Sequence, residues 1–176
     1  MLLTVFIGFH FLFNSLKPSA DVEAQHQNNI HRVWVADLER GDINRFQVDR
    51  RPIVIWRRNS EEIAKAMALL DPTSSPKEWL TVLNDGTLAL ELGSEGFSRL
   101  EWFVVSPVNT GGMGCVVLTK AGDFGGFFDP CQGAHFDLWG RIQKGPTAQN
   151  LKVAPMKLAE DGQSVLIDLT EMPKLR

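Results

Sequence analysis

The chain has no tyrosine, only two cysteines and only four histidines in 176 residues. Cys115 and Cys131 alone cannot supply a zinc or iron–sulfur centre built mainly from thiolates. The histidines are scattered. His26 and His31 do not share a helical face and read as solvated, His10 falls inside an apolar run, and His135 stands alone near the second cysteine. There is no basic excess, since 18 Lys and Arg face 21 Asp and Glu for a net charge of −3, and no basic patch. Nucleic acid is therefore excluded as an expected partner. Internal repeats and low-complexity tracts are also lacking. The longest apolar run, Leu2 to Phe13, is shorter than the roughly 20 residues of a full helical membrane span.

What is present suits a β-rich domain with a real core. Hydrophobic residues make up 44% of the chain, with five Trp and eleven Phe, and the length suits one domain with an appendage. Fifteen Gly and nine Pro imply many turns, which favours strands. The two cysteines fit either a disulfide or two buried free thiols, and composition does not choose between them. In an oxidising compartment a bridge closing that loop would stabilise the fold by about 3 kcal/mol.

Along the chain, residues 2–13 carry no charged side chain, and Pro18 after Lys17 ends the run at a plausible membrane boundary. A short tilted anchor, the outer part of a longer span and a signal-peptide core all fit. The lack of a basic front and a small-residue cleavage site favours the anchor. Polar residues 21–30 read as a tether. Segments 31–37, 44–50 and 52–58 read as strands, punctuated by Gly41-Asp42 and Arg51-Pro52. A short helix follows from the N-cap Ser60 to Leu70, with Ile63, Met67 and Leu70 on its apolar face. Segments 79–83 and 87–92 flank Asn84-Asp85-Gly86 and suit a hairpin or a short helix. Segments 100–108 and 114–120 read as strands. Leu138-Trp139-Gly140 reads as a tight turn, and a last hairpin crosses Asp161-Gly162.

The stretch 122–155 carries Gly125-Gly126-Phe127-Phe128, Pro130-Cys131, Gly133, Phe136-Asp137, Gly140-Arg141, Gly145-Pro146 and Asn150-Leu151. In that order and spacing it resembles the second cluster loop and proline loop of Rieske iron–sulfur subunits of ubiquinol–cytochrome c reductase. Pro18-Ser19-Ala20-Asp21-Val22, and Pro52-Ile53-Val54-Ile55 with Arg57-Arg58, resemble the hinge and first sheet of that family. The resemblance covers most of the chain except 73–99. It implies a mostly β fold: a Rieske-type antiparallel β-sandwich with one short helix, plus an N-terminal transmembrane helix. The implied boundaries are a membrane anchor at 1–18, a tether at 19–30 and a Rieske-like domain at 31–176, with a cluster-loop subdomain at about 104–150.

The family holds a two-iron, two-sulfur cluster by Cys-x-His in one loop and Cys-x-x-His in the next. A further cysteine in each loop makes a disulfide. The resemblance places those disulfide cysteines at Cys115 and Cys131, both kept. It places the four ligand positions at Thr110, Gly112, Asp129 and Gln132. Glycine has no ligand atom, Thr and Gln are poor ones, and one carboxylate cannot replace soft thiolates. Two positions where the family often has hydroxyls tuning the cluster read Ala134 and Phe136. His135 falls beside the loop at a non-ligand position. The expectation is a degenerate member with no cluster or metal and no catalytic activity of its own. It would have a structural or regulatory role in a respiratory membrane complex of the cytochrome bc type or its supercomplex. The implied partners are the membrane, cytochrome b and cytochrome c-type subunits, and a cluster-bearing sister Rieske subunit. The implied location is single-pass in an inner or cytoplasmic membrane, with the globular part in the periplasm or intermembrane space. Two alternatives are an electron-transfer subunit using unrecognised ligands, and a membrane-tethered binding module presenting Phe127, Phe128, Phe136 and Trp139. The core reading is preferred for Phe127 and Phe136.

Overall fold

The structure, a computed structural model, describes residues 29–111 and 113–174. The predicted anchor, nearly all of the tether, His10, His26 and Gly112 lie outside the described residues. Among the described residues no helix is long and apolar enough to cross a membrane.

Among the described residues, ten strands form three antiparallel sheets. The first three are β1 (Ile30–Trp34), β2 (Ile43–Val48) and β3 (Arg51–Arg57). Asp49 and Arg50 both have positive φ, 46° and 58°, and Val48 pairs with Arg51. These two residues are the hairpin turn, with the backbone twist that two-residue hairpins prefer. Arg51-Pro52 thus opens the strand and does not punctuate it. β4 (Trp102–Val105), β5 (Leu118–Thr119), β6 (Phe127–Asp129), β7 (Ala134–Phe136) and β8 (Ile142–Lys144) follow. The predicted strand at 114–120 shrinks to β5 plus an isolated Val108–Val116 bridge. β9 (Met156–Leu158) and β10 (Ser164–Asp168) make the expected last hairpin. The sheet orders are β1-β10-β9, β2-β3-β4 and β5-β6-β7-β8. His31 is not solvated. It is a half-buried strand residue opposite Ile167.

The middle sheet is apolar on both faces. Ile53 and Ile55 of β3, with Trp102 and Val104 of β4, face a core shared with Val33, Val165, Ile167 and Leu169. Val54 and Trp56, with Phe103 and Val105, face a second core containing Val117, Phe127, Phe136, Leu138 and Leu151. That is why residues 52–56 and 102–105 read as unbroken apolar runs and not as alternation. The expected sandwich is present as the first two sheets. The third sheet adds a layer on the far side of the middle one.

The helical content exceeds expectation. Helix α1 (Ser60–Ala68) is capped by Asn59, not Ser60, through a reciprocal capping box with Glu62. Ile63, Ala64 and Ala66 are buried, whereas Met67 is half-buried and Leu70, beyond the helix end, is exposed. Residues 73–99 form no hairpin. Ser75 and Glu78 make a second capping box that starts α2 (Pro76–Asn84), with Pro76 in its first turn. Gly86, at a φ of 79°, then turns the chain into α3 (Thr87–Glu101), which kinks at Gly93. Asn84-Asp85-Gly86 is a helix–helix connection, and α3 extends to Glu101 where the sequence suggested strand.

Arg58, just beyond the end of β3, is fully buried. Its guanidinium lies 4.3 Å from the Phe103 ring centre, 4.4 Å from Trp139 and 5.5 Å from Trp56, and it donates to the Leu138 carbonyl. Burial pushes it down to about 9, opposed by the Glu62 and Asp137 carboxylates, so it is charged at neutral pH.

Two predictions follow from this packing. Ile55→Ala and Trp56→Ala open different cores, and each should cost about 2–5 kcal/mol in denaturant unfolding, with Trp56 at the upper end. The second concerns acid. Hydrogen bonds from the Gln163 and Ser164 backbone at the last hairpin, the Gln163 bond foremost, hold the Asp161 carboxyl below its usual range. A depressed folded pKa gives stability that is complete above the unfolded value of about 3.9 and is lost as pH falls through the folded value. Asp161→Asn should flatten part of that acid limb by lowering stability at neutral pH towards its acid value, read as a smaller difference between the melting temperatures at pH 7 and pH 3.

Candidate functional site

Three loops meet beside the four-stranded sheet: 106–117, the β6–β7 turn at 129–134, and 145–150. Cys115 and Cys131 join the first two through a disulfide, with Cα atoms 6.4 Å apart. This settles the choice between a bridge and free thiols. The first and third loops interlock. The Thr110 hydroxyl donates to Gln149 Oε1 at 3.4 Å, and a Cβ at Gly111 would collide with the Thr147 hydroxyl. Gly145 in turn lies against the Ala134 backbone, where an added Cβ would come within 2.6 Å.

The inner contacts centre on Asp129, the last residue of β6. It is 0% exposed, and both carboxylate oxygens are satisfied. Oδ1 accepts from the Cys131 backbone N–H at 2.8 Å, and Oδ2 accepts from the Asn109 side-chain amide at 2.7 Å. Asn109, 1% exposed, also donates to Gln132 Oε1 at 3.3 Å, and its own Oδ1 accepts from the Gly111 N–H at 3.1 Å. Its backbone N–H donates to the Cys115 carbonyl at 2.9 Å. One neutral amide thus ties a buried carboxylate in the second loop to the backbone of the first. Burying a carboxylate this way avoids the penalty of an unsatisfied charge.

Of the predicted ligand positions, Asp129 and Gln132 meet in this network through Asn109. Thr110 is exposed and turns instead to Gln149, and Gly112 lies outside the described residues. Ala134 and Phe136 are both fully buried, Phe136 in the second core. His135 is turned away from the network. Its Nδ1 accepts from the Asp123 N–H at 3.0 Å, and its ring stacks obliquely on Phe128. A hydrogen bond from Lys144 foremost, and the nearby His135, hold the Asp123 carboxyl below its usual range. Phe127 is core, as preferred. Phe128 and Trp139 are half-buried, and Trp139 donates to the Ala66 carbonyl at 2.7 Å. The exposed apolar side chains on the loops are instead Met113, at 78%, with Val116 and Phe124.

Asn109 was not singled out by the sequence. An amide in a loop carries no motif, and only the burial of its acidic partner reveals its role. Among the described residues, one group of metal-ligand side chains lies close together, Cys115, Asp129 and Cys131, and its two sulfurs are joined in the bridge.

No protein-family model matches the chain. Curated relatives do. The chain is 34% identical over 153 residues to a cytochrome b-c1 complex subunit Rieske-1 of Nicotiana tabacum, covering 86% of this chain and 52% of that one. It is 33% identical over 126 residues to the corresponding Rieske subunit of Neurospora crassa, covering 71% and 52%. It is 30% identical over 154 residues to that of Theropithecus gelada, covering 87% and 50%. The chain spans about half the length of these relatives. A solved hyperthermophilic respiratory complex III aligns over 93% of this chain and 94% of its own at 18% identity and a TM-score of 0.46. This chain, with two cysteines in all and both in one disulfide, is similar to Rieske subunits of the cytochrome b-c1 complex over the half of their length that it spans.

Proposed function

We propose that this chain is a Rieske-type subunit of a cytochrome bc-type respiratory complex that carries no iron–sulfur cluster and serves a structural or regulatory role. The observation that carries this reading is the buried Asp129–Asn109 pair. At a position where the family places a ligand thiolate, this chain has a carboxylate whose two oxygens are both turned inward, onto Cys131 and Asn109. Gln132, at a histidine position, accepts from the same amide. Hard, hydrogen-bonded oxygen donors do not fit a centre that needs two thiolates and two imidazoles. The polar network and the disulfide would together hold the two loops in the shape that a cluster imposes elsewhere.

The rest of the reading follows the relatives. Residues 1–18 would anchor the chain in the inner or cytoplasmic membrane, and the globular part would face the periplasm or intermembrane space, where a disulfide persists. Cytochrome b and cytochrome c-type subunits would be its neighbours, alongside a sister subunit that does carry a cluster.

Protein purified from native membranes should contain well under one two-iron cluster per chain by iron and acid-labile sulfide analysis. It should also bring down subunits carrying haem b and haem c. A stoichiometric cluster would sink the cluster-less reading, and a solitary or soluble protein would favour the tethered binding module. At the level of the loops, Asn109→Ala strands the buried carboxylate and should cost about 2–3 kcal/mol. A cycle with Asp129→Ala, read by urea unfolding, should give a coupling of about 1 kcal/mol or more.

A further inference from the structure

Cys115 Sγ, Cys131 Sγ and an Asp129 carboxylate oxygen all lie within 4.8 Å of one another. In the oxidised chain the two sulfurs are bonded together. We infer that the reduced chain binds one zinc-class divalent cation through these three side chains, so that the disulfide acts as a redox gate on a metal site. This goes beyond the reading above and uses the two bridge sulfurs, which are not cluster-ligand positions.

The chemistry balances with a dithiol as reductant. The dithiol gives two electrons and two protons, the Cys115–Cys131 bond breaks into two thiols, and the reductant closes to its own disulfide. The cation then binds both sulfurs and releases their two protons to solvent.

Geometry favours the site. Zinc–sulfur bonds of about 2.3 Å in tetrahedral array put two sulfurs about 3.8 Å apart. The 6.4 Å Cα separation leaves room for side-chain rotation to reach that spacing while the loops stay in place. The carboxylate is already aimed and held by the Cys131 N–H and the Asn109 amide, the outer contacts that orient a metal ligand. Each oxygen accepts one hydrogen bond, from a neutral donor, and keeps a second lone pair for a cation. Charge favours the site as well. A dication placed among two sulfurs and a buried carboxylate offsets their combined negative charge. Access is open, because Cys131 and its neighbour Pro130 are exposed to reductant and ion.

The test uses the full chain in detergent, reduced with a phosphine, desalted without oxygen, and titrated with zinc in competition with a chromophoric chelator. One zinc per reduced chain is expected, with about two protons released and none bound by the oxidised chain. Cobalt in place of zinc should give a thiolate-to-metal absorption band. Asp129→Asn should weaken zinc at least tenfold. Equal binding by the oxidised and reduced chains, or an unchanged affinity in Asp129→Asn, would overturn the assignment. If that variant does not fold, wild-type melting decides. Zinc should restore much of the thermal stability lost on reduction, and a reduced chain that melts alike with and without zinc would reject the site. Iron analysis of the native oxidised protein is a separate readout, so failure of one proposal leaves the other standing.

Discussion

The fold hangs on one pair of strands that is buried on both sides. β3 and β4 give Ile53, Ile55, Trp102 and Val104 to one core, and Val54, Trp56, Phe103 and Val105 to the other. Each face can only be dry if a further sheet covers it. The β1-β10-β9 sheet therefore packs on one side and the β5–β8 sheet on the other. Arg58 extends the arrangement. It leaves the end of β3 and inserts its charge between Trp56, Phe103 and Trp139, with its guanidinium on the Leu138 carbonyl. The loop layer is thereby fixed to the middle sheet by burial and by a caged cation.

The three loops rest on that base, and their order comes from close approach and polar closure. Gly126 sits where a Cβ would strike the Asp137 carbonyl, so β6 can press directly onto the segment after β7. Asp137 is itself buried and accepts from the Trp139 and Arg141 backbone, from Arg141 Nε and from Gln143. Asp129 plays the parallel role on the other side of the hairpin. Two buried carboxylates, each hydrogen-bonded through both oxygens, bracket β6 and β7. This pattern defines loop geometry in a low-dielectric setting, because an alternative arrangement would leave a charge unpaired.

Much of this was legible in the sequence, and the parts that were not have physical reasons. Strands were read at 52–58 and 100–108, and the unbroken apolar runs 52–56 and 102–105 within them are the mark of burial on both faces. The last hairpin followed from Asp161-Gly162. The pairing of Cys115 with Cys131 came through family resemblance, since spacing alone allowed free thiols. Segments 79–83 and 87–92 were left open between a hairpin and a short helix because Leu, Val and Thr near an Asn-Asp-Gly turn suit either state. What decides is the capping box of Ser75 and Glu78, three residues apart and easy to overlook. The Asn109 amide was invisible for another reason. Its importance is a property of the pair it makes with Asp129, twenty residues on, and no single-position signal carries that.

The β1–β10 pairing bears on how the chain comes together during synthesis. Ile30 lies opposite Asp168, and Trp34 opposite Ser164, so the first described strand is held in its sheet by the last. The middle hairpin and the three helices are built from near neighbours and can settle early. The first core, in contrast, stays open to water until residues near 164–168 have left the ribosome. A sheet that pairs residues 30–34 with 164–168 makes contacts of long sequence separation, which slows folding. Its β1 edge, with Trp34 outward, stays exposed to unwanted strand pairing for most of translation.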